Sequence, residues 1–237
     1  MPISYVGAGS AVQTVTTTLT LGSHASSLPN DIVIAQIISI NNTAITAPDA
    51  TWFEASQANF TGSRGAVFWK RIATSGATNY NFGVAGTTTS YGILTSYRGC
   101  KLNGRPYGAV TTSNNASADA VTYATLTPFS NSGLMVAIGL YAEDATTGGT
   151  VSGAVYTFAA PVVDVEQATN EDASIFVSHA PMTTNAATGA ITQATTSTVD
   201  AVNQGILLDL MSIETESGSG GGSIGVTYPR LNRRGIR

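Results

Sequence analysis

From Asp31 to Gly99 the chain is a succession of short runs separated by turn residues: DIVIAQIISI (Asp31–Ile40), TWFEAS (Thr51–Ser56), AVFWKRIA (Ala66–Ala73), YNFGV (Tyr80–Val84) and ILTSYRG (Ile93–Gly99). Successive side chains of a strand point to opposite faces, so a period of two marks a sheet. Tyr80, Phe82 and Val84 alternate with Asn79, Asn81 and Gly83. In Thr14–Leu21, Val15, Leu19 and Leu21 share one face, and Thr14, Thr16, Thr18 and Thr20 share the other. Both patterns predict half-buried strands with one solvated face. Ile32–Ile40 and Leu134–Leu140 are apolar on both faces, which predicts central strands covered on both sides. Further strands are predicted near Val121–Leu126, Val155–Ala159, Ser174–Ser178, Ala190–Thr195 and Gln204–Ile213.

Turn chemistry separates these runs, as in Leu28-Pro29-Asn30, Ala47-Pro48-Asp49, Asn103-Gly104, Ser130-Asn131-Ser132-Gly133 and Thr147-Gly148-Gly149. β-branched residues and glycine are too dense for an amphipathic helix. No internal repeat stands out. The expected fold is all-β: one antiparallel, jelly-roll-like sandwich over residues 1–216. With 43% hydrophobic and only 10% charged residues, a folded core fits and disorder does not. A chain of 237 residues buries enough surface to need no staple, and the single cysteine, Cys100, rules out an intrachain disulfide.

At Ser217 the composition changes to SGSGGGSIG (Ser217–Gly225), a flexible linker, and the chain ends VTYPRLNRRGIR (Val226–Arg237). Residues 1–216 carry six basic and fourteen acidic groups, whereas residues 217–237 carry four arginines and no acid. A tethered segment with both anchors and charge reads as a docking peptide, in which Tyr228, Arg230, Leu231, Arg233, Arg234 and Arg237 make the contacts. The alternative is a solubilising terminus.

The five runs, in their order and spacing, resemble the β-sandwich domains of tailed-bacteriophage virion proteins: tail, fibre, spike and decoration types. In those domains Gly-Asp opens an aliphatic strand; here Asn30-Asp31 stands in its place. A Trp-containing strand follows, then a "yWK-x-A" run, an alternating aromatic run and a strand ending "yRG". The resemblance implies a virion structural or adhesion module with no catalytic residues. It implies that the protein is homo-oligomeric, with a trimer favoured, that it docks on other virion proteins, and that its outer loops contact host surface glycans. A carbohydrate-binding or polysaccharide-degrading adsorption module is the alternative reading. Met1-Pro2-Ile3-Ser4 has neither a basic nor an apolar signal region, so synthesis in the host cytoplasm without export is expected. Ile32–Ile40 is too short to span a bilayer, so membrane insertion is not expected.

No arrangement of residues points to catalysis, a metal or a cofactor. His24 and His179 are the only histidines, and no triad spacing includes them. Gly221-Gly222-Ser223-Ile224-Gly225 matches the nucleophile-elbow string but lies in the linker without a following helix. Glu143-Asp144 and Glu171-Asp172 offer oxygen ligands for calcium without a loop pattern to support it. Trp52 and Trp69 sit inside apolar strands and read as core. Tyr91, Tyr107, Tyr141 and Tyr156 lie nearer turns and are the candidates for surface glycan contact, with packing as the alternative. Arg64, Lys70, Arg71, Arg98, Lys101 and Arg105 form a basic group, but Lys70 and Arg71 point to opposite faces of one strand. With an acidic body, nucleic-acid binding is not expected.

Overall fold

The structure is a computed structural model that describes residues 2–115, 120–142, 145–153, 155–167, 173–197 and 202–213. The first half supplies β1 (Ser4–Ala8), β2 (Val12–Thr14), β3 (Thr18–Gly22), β4 (Ile32–Ile40), β5 (Ile45–Thr46), β6 (Phe53–Phe60), β7 (Ser63–Arg71), β8 (Asn79–Val84) and β9 (Ser90–Arg98). The second supplies β10 (Tyr107–Asn115), β11 (Ala120–Tyr123), β12 (Gly133–Tyr141), β13 (Ala145–Ser152), β14 (Val163–Gln167), β15 (Ala173–Met182), β16 (Ile191–Ser197) and β17 (Asn203–Met211).

These strands form four antiparallel sheets. A large sheet in the order β1-β9-β4-β7-β6, with β2 also on β9, faces a small one, β3-β8-β5. A second large sheet, β10-β17-β12-β15-β14, faces β11-β16-β13. The all-β, antiparallel, sandwich-like expectation holds. The chain builds two sandwiches with the same strand order, so the structure contains a repeat that the residues do not advertise. In each, strands pair in nested fashion, first with last: β1 with β9, β3 with β8 and β4 with β7, then β10 with β17, β11 with β16 and β12 with β15. Nested pairing is jelly-roll winding.

Alternation explains the layering. In β4, Val33, Ala35 and Ile37 pack toward Leu19, Leu21 and Phe82 of the small sheet. Ile32, Ile34 and Ile38 point the other way, into a core shared with Val136, Ile138, Ile175, Val177, Ile206 and Leu208 of the second sandwich. The two large sheets therefore pack face to face, which is why β4, β12 and β17 are buried along almost their whole length. Burying a large aliphatic side chain contributes about 1.5–3 kcal/mol, so this seam carries a large share of the fold's stability. Gly65 on β7 permits the approach. A Cβ there would lie 2.1 Å from Gln204 Oε1 and 2.6 Å from Leu140 Cδ1 across the seam.

The predicted strand Thr14–Leu21 is broken. Thr14 and Thr16 bond to each other at 2.8 Å, and the Thr16 hydroxyl donates to Thr18 O, so β2 and β3 are separate and Val15 is exposed. Val155–Ala159 is not a strand, whereas Thr147-Gly148-Gly149, expected as a turn, lies within β13.

Candidate functional site

Trp52 and Phe53 are neighbours in sequence, and only one of them points to the core beneath the large sheet. Trp52 is buried against Tyr80 and Phe82. Phe53, at the start of edge strand β6, is 52% exposed. It pairs in register with Trp69 of β7 and stacks on its indole, with centroids 4.9 Å apart and planes 26° apart. Trp69 in turn meets Tyr107 of β10 edge-on at 6.4 Å. These three rings span the junction of the two sandwiches and wall an open cleft of about 770 Å³.

Charged groups line the same cleft. Arg71 follows Lys70 on β7 and emerges on the opposite side, as alternation requires. Its guanidinium donates to Asn30 O at 3.1 Å and to Lys101 O. Arg105 lies over the Tyr107 ring at 4.8 Å and donates to Tyr107 O at 3.1 Å and to Gly108 O at 2.8 Å. The Glu54 carboxylate accepts from Gln57 Nε2 at 2.8 Å. Burial raises the Tyr107 phenol above its ordinary value, against the opposing pull of Arg105.

A smaller depression of about 210 Å³ adjoins the cleft through Arg105 and Tyr107, and is also lined by Lys101, Phe129 and Met211. Phe129 is 75% exposed. Its position is fixed from below: Asp209, fully buried, accepts the Phe129 N–H at 2.7 Å on Oδ2 and the Ala109 N–H on Oδ1. Burial raises the Asp209 carboxyl, and those backbone bonds oppose the rise.

The four tyrosines expected as surface contacts are corrected by their burial. Tyr91 is 2% exposed, Tyr107 4%, Tyr141 0% and Tyr156 3%. Proximity to turns did not decide their direction; for Tyr91, Tyr107 and Tyr141, which lie in strands, the pleat did. Tyr91 and Tyr107 enter the core between the sandwiches, and Tyr141 and Tyr156 enter the core inside the second one. The Tyr156 hydroxyl donates to Thr184 O and Ala186 O, a structural anchor. Only Tyr107 touches the cleft, as one of its walls. Trp52 and Trp69 are core residues, as expected.

The basic group divides as the strand faces require. Lys70 sits 3.5 Å from Asp49 and over the Tyr80 ring, Arg64 bonds Asn59, and Arg98 bonds Asp31, while Arg71, Lys101 and Arg105 gather at the cleft and its neighbour. His179 is buried with its Nε2 2.8 Å from Tyr97 Oη, and His24 Nδ1 accepts from Ser26 N. Among the described residues no three His, Cys, Asp or Glu side chains converge as metal ligands. Glu143-Asp144, Glu171-Asp172, the Gly221–Gly225 string and the docking residues Tyr228, Arg230, Leu231, Arg233, Arg234 and Arg237 lie outside the described residues.

The sequence reading missed Phe53 as a site residue. The available signal was the Trp52-Phe53 pair itself, since two adjacent aromatics on a strand cannot both enter one core. Comparison with protein-family models, with curated proteins and with solved structures returned no significant match.

Proposed function

We propose that the chain is a non-enzymatic structural protein of a tailed-bacteriophage virion, of tail, head-spike, fibre or decoration type, assembled on the particle and in contact with the host surface. The observation that carries this reading is where the resembling runs fall. Four of the five are β4, β6, β7 and β9, all strands of one large sheet, and the fifth is β8 in the sheet facing it. The "ND" that opens the first run and the "YRG" that closes the last are joined: Asp31 accepts from Arg98 Nε at 2.9 Å and from Nη2 at 2.8 Å. The motif order thus describes one coherent structural unit.

In this reading the 24.2-kDa chain forms homo-oligomers, a trimer by resemblance, and residues 226–237 dock on a neighbouring virion protein. Many weak contacts then act together. The test is proteomics and high-resolution imaging of purified particles. Finding the chain on particles, with residues 226–237 traceable against another virion protein, supports the reading; absence from particles overturns it.

The aromatic cleft favours a second reading, a carbohydrate-binding or polysaccharide-degrading adsorption module. Such a protein binds host envelope on its own, and a degrading one lowers the viscosity of host polysaccharide.

A further inference from the structure

We propose that the cleft between the two sandwiches binds an acidic saccharide, a pyranose chain that carries carboxylates. The inference rests on the host-contact part of the proposed function and gives that contact a site.

Three observations converge on this ligand. Phe53 presents an aromatic ring that is half exposed although it belongs to a strand, and it is held in place by Trp69 beneath it. A ring already fixed by stacking loses little freedom on binding, and its flat apolar face suits the C–H face of a sugar ring. The cleft also has the volume typical of small-ligand sites, with an apolar wall and few polar groups.

The rim is cationic where the chain as a whole is not. Among the described residues that line it, Arg71 and Arg105, with Lys101 alongside, are accompanied by one carboxylate, Glu54. The chain has a net charge of −4. A local positive excess on an acidic protein selects an anionic partner. It also argues against the chain's own basic segment, whose four arginines would meet this rim.

Arg105 is, in addition, pre-positioned. Two backbone carbonyls and the Tyr107 ring hold its guanidinium at the cleft edge. A guanidinium has five N–H donors, and a carboxylate fits its planar fork. Ring stacking on Phe53 and a carboxylate on Arg105 together define a sugar that is apolar on one face and anionic at its edge.

The experiment is a calorimetric titration of the full chain with oligogalacturonate and hyaluronan oligosaccharides, with maltohexaose as the neutral comparison. At least one acidic oligosaccharide should bind tenfold or more tightly than maltohexaose, and the binding should weaken in high salt. Phe53→Ala should lower that affinity at least tenfold with the native circular-dichroism spectrum retained, because the side chain is half exposed even though its stack on Trp69 is lost, and Arg105→Gln should erase the acidic preference. The inference is overturned if neither acidic probe binds, or if Phe53→Ala binds as the parent does. The two failures are separable. A chain present on particles but without saccharide binding loses this site and keeps its virion role; one that binds but is absent from particles keeps the site and loses that role.

Discussion

Asp31 is almost completely buried, and its two oxygens are satisfied by Arg98 and by the Leu28 N–H at 2.8 Å. Arg98 also donates to Ser26 O at 3.0 Å, so one ion pair ties the start of β4, the end of β9 and the loop before β4. Removing the guanidinium leaves a carboxylate buried without its counter-charge, which is costly even where an intact pair would be nearly neutral. Arg98→Ala should therefore lower unfolding free energy by about 2–4 kcal/mol in urea titrations. Arg98→Lys should recover only part, because it cannot reproduce the fork. Two residues on, Cys100 is buried and its thiol is pushed up to about 12 by that burial. The thiolate is the reactive species. Ellman's reagent should leave Cys100 unmodified in the native protein and titrate one thiol in denaturant; rapid native labelling would mean that the β9–β10 connection opens.

At the level of strands, β9 and β15 meet across the seam through Tyr97 and His179, with the Tyr5 ring against both. Burial pulls His179 down to about 4 from its ordinary value of 6.5. The folded protein therefore keeps it neutral, whereas the unfolded chain takes up a proton below 6.5. The full stability is present above that value and is lost as pH falls toward 4, by up to about 3 kcal/mol. Urea midpoints measured from pH 7 to pH 4 should fall accordingly, and His179→Gln should flatten that dependence. The strands themselves were readable wherever one face alternates or both faces are apolar: β4, β7, β8, β9, β12 and β17 lie where the pattern placed them. β13 was not readable, because it pairs with β16 through register shifts on both sides of Gly148, and a bulged strand has the composition of a turn. The Tyr156 segment has a strand's composition, but its hydroxyl is tied to carbonyls of a distant loop.

For the whole molecule, the repeat stayed hidden because the halves share winding, not residues. β4 and β12 occupy equivalent places, yet the Ile32–Tyr97 pairing flanked by Asp31 and Arg98 is matched in the second half by Gly133 opposite Met211, with no ion pair. The cleft was hidden for a related reason: Phe53 and Tyr107 come to line one cleft only once two sandwiches have formed and packed, and local periodicity cannot report that. The packing also sets how the chain unfolds. Ile34, Ile38, Val67 and Ile93 from the first sandwich and Val136, Ile138, Ile206 and Leu208 from the second belong to one apolar core. Separating the halves would expose both of these faces, which resembles splitting an obligate interface rather than parting two linked domains. Calorimetry should accordingly show one cooperative transition, with equal calorimetric and van't Hoff enthalpies. A fragment of residues 1–105 should self-associate or precipitate, because the face carrying Ile34 and Val67 would lie open. Two resolved transitions, or a monomeric soluble fragment, would mean that each sandwich is stable without its partner and that the seam contributes little.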